Sequence, residues 1–167
     1  MPKRRIEIKL HVGELLYDVE NTTSLTGRAR DDGKNYQLSA DMRANEDDEN
    51  RNQILRSLGN AFASLKSNMS EYLCASGTTA NNIQLQCGEW DCLTVCLMMP
   101  MNFDLAAKDD IATSMHQYMV NMALGEWFGI FSKDDMAMYL KQAAGNLAAI
   151  REALSKRVRF TRSCREN

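Results

Sequence analysis

The chain has 167 residues, of which 44% are apolar and 25% charged, a composition typical of a globular protein with a core of its own. Its formal net charge of −2 excludes an overall positive field that would attract nucleic acid. No stretch approaches the roughly 20 apolar residues of a membrane helix. The start, MPKRRIEIKLHVGELL, lacks the apolar core and cleavage pattern of a signal peptide. We therefore expect a single domain over residues 1–167.

Residues 1–28 predict a strand followed by a helix. The segment RRIEIKLH alternates apolar and polar residues, which favours a strand with one buried face. From Val12 the apolar residues recur every three to four positions, as on one face of a helix, and Gly27 offers a stop. The polar residues 29–45 that follow predict a long loop.

Residues 46–74 predict a long helix. Its first four residues, Glu46 to Glu49, are all carboxylates, which suit the positive end of a helix dipole. This acidic run lacks the alternate ligand spacing and the central glycine of a calcium-binding loop. The apolar residues then alternate steps of three and four, typical of a helix packed along its length on another helix. They are Leu55, Leu58, Phe62, Leu65, Met69 and Tyr72.

Residues 81–99 predict a β-hairpin, which lies in the segment NIQLQCGEWDCLTVCLMMP (82–100). Alternating apolar residues at 83–87 and at 93–97 form its two strands, GEWD forms the turn, and Pro100 ends the second strand. Together with the N-terminal strand, this hairpin predicts a small three-stranded antiparallel sheet.

Residues 105–156 predict two helices that form an antiparallel hairpin. Ser132, with Asp135 three residues later, is a suitable N-cap for the second helix. The apolar seam of this second helix is Met136, Leu140, Ala143, Leu147, Ile150 and Leu154. A basic tail, 157–167, follows. The predicted fold class is therefore α+β and mainly helical, with an antiparallel C-terminal helical hairpin, a long central helix and a small three-stranded antiparallel sheet.

Recognised catalytic motifs are missing from the sequence. It contains no glycine-rich phosphate loop, no HExxH and no nucleophile elbow. His116 could act as a general base beside Asp109 or Asp110, but acid–base catalysis needs a second positioned group, so we interpret it as a partly exposed helix residue. The sequence therefore predicts no catalytic residue and no enzyme.

Five cysteines raise the question of a metal site. Cys87, Cys92 and Cys96 are clustered, but no CxxC pair exists and the chain has only two histidines. Zinc frameworks use closer, paired ligands. We interpret these cysteines as reduced, small apolar side chains and predict no metal and no cofactor.

The segment from Ile111 to Leu154, IATSMHQYMVNMALGEWFGIFSKDDMAMYLKQAAGNLAAIREAL, resembles the C-terminal helix pair of bacteriophage head–tail connector proteins of the adaptor type. In that family one helix ends in an aromatic residue before a short acidic or Lys-Asp link. The next helix is Ala-rich, with a pattern of the kind YxxxAxxNxxxxxxAL. Tyr139, Ala143, Asn146 and Leu154 match it. The whole chain is also similar to small virion proteins of Bacteroidetes phages, including the segment ANEDDENRNQILRSLGNAF.

The resemblance implies a non-enzymatic virion structural protein of the phage neck that forms a ring of identical subunits. Its partners would be the portal protein and tail or stopper proteins, with no membrane and only incidental contact with DNA in a channel. It would be assembled in the bacterial host cytoplasm. The N-terminal strand and central hairpin depart from an all-helical adaptor. A tail terminator, another tail-associated phage protein, or a non-viral oligomeric interaction module therefore stays an alternative.

A ring requires two different surfaces on each subunit that meet heterologously. The sequence offers an acidic block and a basic tail of opposite charge, which would set register and orientation more than affinity. Apolar and methionine side chains would supply the binding energy. The candidate subunit-interaction residues are Glu46, Asp47, Asp48, Glu49, Lys156, Arg157, Arg159 and Arg162.

Overall fold

The computed structural model of the protein describes residues 2–44, 48–81 and 91–158. Within these ranges the fold is α+β, mainly helical, with one antiparallel sheet of two strands. None of the described helices combines the length and the apolar run that crossing a membrane requires. In chain order the elements are β1 (Lys3–His11), α1 (Val12–Ala29), α2 (Tyr36–Asp41), α3 (Asp48–Asn68), β2 (Cys92–Pro100), α4 (Ala107–Phe128) and α5 (Lys133–Ser155).

The two strands pair antiparallel over their whole length, with Ile8 opposite Val95 and Leu10 opposite Leu93. Ile6, Ile8 and Leu10 are buried, so the alternation in the sequence gives the buried face of β1 correctly. The partner strand lies some 90 residues away along the chain. The alternation in the sequence predicts that β1 is a strand and which of its faces is buried. The sheet itself is defined by the long-range pairing of β1 with β2.

The predicted three-stranded sheet is not found in the described part of the chain. The first strand of the predicted hairpin, 83–87, lies outside the described residues. The edge of β2 that faces away from β1 is bonded to residues 72–79. The predicted helix 46–74 is wrong at its C-terminal end, because α3 ends at Asn68 and residues 72–74 belong to this stretch. The rest of the stretch, from residue 75, was predicted to be a loop. The N–H groups of Met98, Cys74 and Thr79 bond across this edge to the carbonyl oxygens of Tyr72, Cys96 and Thr94, at 2.7, 2.8 and 2.9 Å. These bonds satisfy polar groups of β2 that an edge strand would leave open.

Helix α4 is the centre of the core. It packs on α1, α3, α5 and β1, and its buried side chains lie on several sides of the helix, from Ile111 through Met115 and Met119 to Leu124 and Phe128. A helix that is apolar on most sides is a buried helix rather than one with a single core-facing stripe. The other elements are arranged around it.

Helices α4 and α5 lie side by side and run in opposite directions. The rings of Phe128, at the end of α4, and Tyr139, in the first half of α5, stack with their centroids 5.4 Å apart. At the other end, the Lys156 Nζ just after α5 lies 3.1 Å from a carboxylate oxygen of Asp110 in the first turn of α4. Gly125 allows close approach, since a Cβ there would lie 3.2 Å from Leu140 Cδ2.

The buried face of α5 is rotated slightly from the predicted seam. Its buried residues are Tyr139, Ala143, Ile150, Ala153 and Leu154. Three members of the predicted seam are not buried: Met136 is exposed, and Leu140 and Leu147 are half-buried. The apolar pattern predicts the face to within a fraction of a turn. Tyr139 is buried because its ring lies against Phe128, a contact that the sequence of α5 alone does not specify.

The predicted loop 29–45 is wrong over its middle, because α2 lies within it. The hydroxyl of Ser39 in α2 donates a 2.6 Å hydrogen bond to the carbonyl oxygen of Gly27. Gly27 does not end α1, which continues to Ala29. It serves close packing instead, because a Cβ there would lie 2.8 Å from the Ser39 carbonyl oxygen and 2.7 Å from Arg43 Cγ.

Two substitutions in α5 test this assignment of its buried face. Ile150 is fully buried, whereas Leu147, one turn earlier, is half-buried. We expect Ile150→Asp to lower the free energy of unfolding by more than about 3 kcal/mol, because an unpaired carboxylate enters the core. Leu147→Asp should cost roughly half as much, and chemical denaturation measures both. Equal losses for the two variants would show that the face is assigned wrongly.

Candidate functional site: two apolar ends and a polar groove

One end of the molecule carries four exposed apolar side chains, which we call the turn-end cluster: Tyr36, Leu38, Ile130 and Met136. Two come from α2 and two from the connection between α4 and α5 and the first turn of α5. Ile130 is the most exposed large apolar residue described, at 72%. Isolated exposed apolar residues are ordinary, but a group at one end of a domain is typical of a contact surface.

Two long-range interactions join the segments that carry the turn-end cluster, and a local hydrogen bond caps the start of α5. The guanidinium of Arg30, just after α1, donates paired hydrogen bonds of 2.6 and 2.7 Å to the carboxylate of Asp135 in α5. The indole N–H of Trp127 donates to the carbonyl oxygen of Met42 at 3.0 Å. The Ser132 hydroxyl accepts from the N–H of Asp135 at 3.3 Å, which confirms the predicted N-cap. The segments that carry the cluster are therefore held in fixed positions relative to each other.

The opposite end carries a second group, the tail-end cluster: Met101, Leu105 and Val158, which are 51, 49 and 55% exposed. They are neighbours because the chain before α4 pairs with the chain after α5. Phe103 and Arg157 form an antiparallel bridge, and the N–H of Val158 donates to the Asn102 carbonyl oxygen at 2.9 Å. The two clusters flank α4, whose 22 residues separate them by about 33 Å.

The acidic block and the basic tail lie largely outside the described residues. Glu46 and Asp47 precede the described start of α3, Arg159 and Arg162 follow Val158, and for Asp48 only its place in α3 is described. Glu49 is exposed. A contact between the acidic block and the basic tail therefore stays a prediction.

The two described members of the basic tail are bonded within their own chain. Lys156 pairs with Asp110, and both side chains stay about half exposed, at 45% and 63%. Arg157 donates to the carbonyl oxygens of Leu154 and Lys156 at 2.7 and 2.9 Å, so it caps the last turn of α5. Exposed pairs such as Lys156–Asp110 are worth roughly 0–1 kcal/mol, so Lys156 can exchange partners at little cost.

A polar groove runs between β1, α1, α4 and α5. It comprises two adjoining cavities of about 480 and 390 Å³ that share Asp18, His116 and Gln117. The imidazole Nε2 of His116 lies 2.6 Å from a carboxylate oxygen of Asp18. The sequence suggested Asp109 or Asp110 as the partner of His116, but in the structure the partner is Asp18, 98 positions away in the chain. No local pattern signals that pairing.

The larger cavity offers mainly neutral hydrogen-bonding groups, whereas the smaller cavity also carries Lys9 and Glu14. The larger cavity is lined by carboxamides from α4 and α5, and no lysine or arginine is among the described residues of its lining. Asn146 Nδ2, in that lining, is buried without a hydrogen-bond partner among the described residues. Among the described residues, the two linings offer the hydroxyl of Thr113 but no serine or cysteine beside His116. The carboxamides are Gln117, Asn121, Gln142 and Asn146.

The described part of the chain brings together no set of three or more potential metal ligands. Cys74, Cys92 and Cys96 are free thiols, and Cys87 and Cys164 lie outside the described residues. Cys92 Sγ lies 3.1 Å from Nδ1 of His11 across the sheet. Cys74 and Cys96 lie opposite each other on the other edge of β2.

The ion pair that fixes the turn-end cluster predicts a pH-dependent stability. The hydrogen bond from Arg30 lowers the pKa of Asp135 below its ordinary value, while burial acts in the opposite direction. The contribution of the Arg30–Asp135 pair to the free energy of unfolding is therefore complete above the unfolded-state pKa of about 3.9. It is lost as the pH falls through the lower folded-state pKa. We expect Asp135→Asn to cost about 1 kcal/mol at neutral pH, and the difference from the unmodified protein to shrink below about pH 4.

Urea denaturation at neutral and acidic pH measures this effect. Asp134→Asn is the matched control, because Asp134 is the adjacent, exposed carboxylate in the same first turn of α5. The control should be close to the unmodified protein at every pH. If the loss of stability in Asp135→Asn stayed constant down to strongly acidic pH, it would contradict an ionic role for Asp135.

Comparisons of the chain with protein-family models, with curated proteins and with solved structures return no match.

Proposed function

We propose that this protein is a non-enzymatic structural protein that assembles with copies of itself, head to tail, through the turn-end cluster of one subunit and the tail-end cluster of the next. The observation that carries the proposal is the placement of exposed apolar side chains at the two opposite ends of α4. Two unlike surfaces on opposite sides of one subunit generate a ring or filament, whereas a single self-complementary surface generates a dimer.

The energetics of such a contact are adequate. Burying a side chain of the size of Ile130 or Leu105 fully is worth about 1.5–3 kcal/mol. The two clusters together contain seven such side chains. The free energy gained by burying most of them is comparable with the estimated 4–15 kcal/mol that association costs in lost freedom of motion. The affinity of one subunit pair would therefore be moderate, and closing a ring would stabilise the assembly further.

The resemblance of the C-terminal helices leads to a more specific proposal. We place the protein in the neck of a bacteriophage, as a head–tail connector of the adaptor type, with the α4–α5 hairpin as the assembly element. Its neighbours would be the portal protein and a stopper or tail protein, in the assembled virion. A tail terminator, another tail-associated role or a non-viral oligomeric scaffold uses the same head-to-tail contact and differs in the partner.

The head-to-tail contact can be tested with two variants that each damage one end. Ile130→Asp removes the turn-end surface and Leu105→Asp removes the tail-end surface, and both side chains are exposed, so both variants should fold. We expect each variant alone to be monomeric by light scattering, whereas the unmodified protein forms larger assemblies. Mixed in equal amounts, the two should form a heterodimer, because each supplies the end that the other lacks.

Tyr17→Asp is the control, since Tyr17 is 65% exposed on α1 but belongs to neither cluster. It should assemble like the unmodified protein. A monomeric unmodified protein, or normal assembly of both single-end variants, would overturn the proposal. Dimers formed by one variant alone would show that the contact is self-complementary rather than head to tail. Co-assembly of the unmodified protein with a portal ring then separates the phage role from a non-viral one.

The predicted electrostatic contact has its own test. Replacing all four residues from Glu46 to Glu49 with lysine places like charges against the basic tail in every repeat of the ring. A single exposed pair contributes roughly 0–1 kcal/mol, but four reversals repeated at each contact should prevent assembly while circular dichroism stays unchanged. A matching reversal of the basic tail should restore assembly in part. Normal assembly of either single-block variant would remove this contact. The basic residues to reverse are Lys156, Arg157, Arg159 and Arg162.

A further inference from the structure

Two free cysteines face each other on the outer edge of β2. Residues 72–79 pair antiparallel with β2 through the bridge between Leu73 and Leu97, which places Cys74 directly opposite Cys96. The N–H of Cys74 donates a 2.8 Å hydrogen bond to the carbonyl oxygen of Cys96. Opposite residues of an antiparallel pair have Cα atoms about 4.5–5.5 Å apart. A disulfide spans Cα separations of about 4.4–6.8 Å, so the backbone needs little movement.

Further hydrogen bonds hold the stretch around Cys74 against β2. The Cys74 thiol donates a hydrogen bond to the carbonyl oxygen of Ser76 at 3.3 Å, within its own stretch of chain. The hydroxyl of Thr78 donates to the Cys74 carbonyl oxygen at 2.6 Å and accepts from the Cys96 N–H at 3.1 Å. This hydroxyl bridges the remaining backbone groups of the pair and fixes the two residues in register.

The environments of the two thiols differ in a way that assigns them separate roles. Cys74 is partly exposed, whereas Cys96 is fully buried. Burial, and then the hydrogen bond with Cys74, raise the pKa of Cys96, and the guanidinium of Arg5 acts in the opposite direction. An oxidant in solution therefore reaches Cys74 first, since reactivity follows thiolate character and access.

We propose that Cys74 and Cys96 are a modification site at which a peroxide, as two-electron oxidant, forms a disulfide. The Cys74 thiolate attacks one peroxide oxygen, the O–O bond breaks, and a sulfenic acid and hydroxide form. The sulfur of Cys96 then attacks the Cys74 sulfur, the S–O bond breaks, and the sulfenic oxygen leaves as water. In sum, two thiols lose two electrons and two protons, and hydrogen peroxide is reduced to two molecules of water.

The disulfide would fasten residues 72–79 to β2 by a covalent bond in addition to the backbone hydrogen bonds. It closes a loop between residues 74 and 96, which contains most of the connection from the end of α3 at Asn68 to the start of β2 at Cys92. Closing a loop of this length restricts the unfolded chain and stabilises the fold. The site thus responds to oxidation with a more stable protein, and it does not depend on the proposed assembly function.

The test uses the variant that keeps only this pair, in which Cys87, Cys92 and Cys164 are changed to serine. After treatment with hydrogen peroxide, we expect the monomer to lose two hydrogen atoms in mass and to show no titratable thiol when denatured. Its Tm should rise by about 5–10 °C, and a thiol reductant should reverse the change. The matched control adds Cys74→Ser, which should show neither the mass change nor the Tm shift.

Chymotryptic mapping of the oxidised, unmodified protein provides a second measurement that does not rely on the variant. Cleavage beside Leu85, Trp90 and Leu93 separates four of the cysteines, so a Cys74–Cys96 cross-link is read directly. Predominant linkage of Cys74 to Cys96 supports the proposal. Thiols that stay titratable, stable higher oxidation of Cys74 without a cross-link, or predominant linkage to another cysteine would overturn it.

Discussion

The burial of α4 is the constraint on which the rest of the structure depends. This helix is apolar on most of its surface, so it can be stable in water only if it is covered from several directions. Helices α1, α3 and α5 and strand β1 provide that cover. The sheet is small, and two strands alone are marginal in water. The strand β1 is therefore held as much by its packing with the helices as by its hydrogen bonds to β2.

A central helix that is covered along its sides has only its two ends free to connect to the surface. The chain enters α4 from the stretch with Met101 and Leu105 and leaves it through Ile130, and both places expose apolar side chains. The turn end is additionally fixed by the Arg30–Asp135 pair and by the hydrogen bond from Trp127. An apolar surface on a fixed frame loses little conformational freedom on binding. The architecture therefore favours contacts at the ends of α4, and this is the basis of the proposed head-to-tail assembly.

The groove beside α4 has a different character from the two ends. Its His116–Asp18 pair is formed by residues of α4 and α1 that face each other because both helices share one core. The lining supplies carboxamides, the Thr113 hydroxyl and the Asn146 amide, whose Nδ2 has no partner among the described residues. A few convergent hydrogen-bonding groups in a concave site suit the recognition of a ligand. The described features of the groove are thus compatible with a protein whose main work is binding.

The sequence by itself determined the features that are encoded within one or two turns of chain. The alternation in RRIEIKLH defined the strand and its buried face, the steps of three and four marked the seam of α3, and Ser132 marked the start of α5. Tertiary structure alone decided the pairing of His116 with Asp18, the place of Cys74 opposite Cys96, and the packing role of Gly27. Local propensity and periodicity act between neighbours, whereas these contacts join residues that only the closing of helices and strands around α4 brings together. Because α4 is apolar on most sides, its own pattern could not specify which neighbour covers which face.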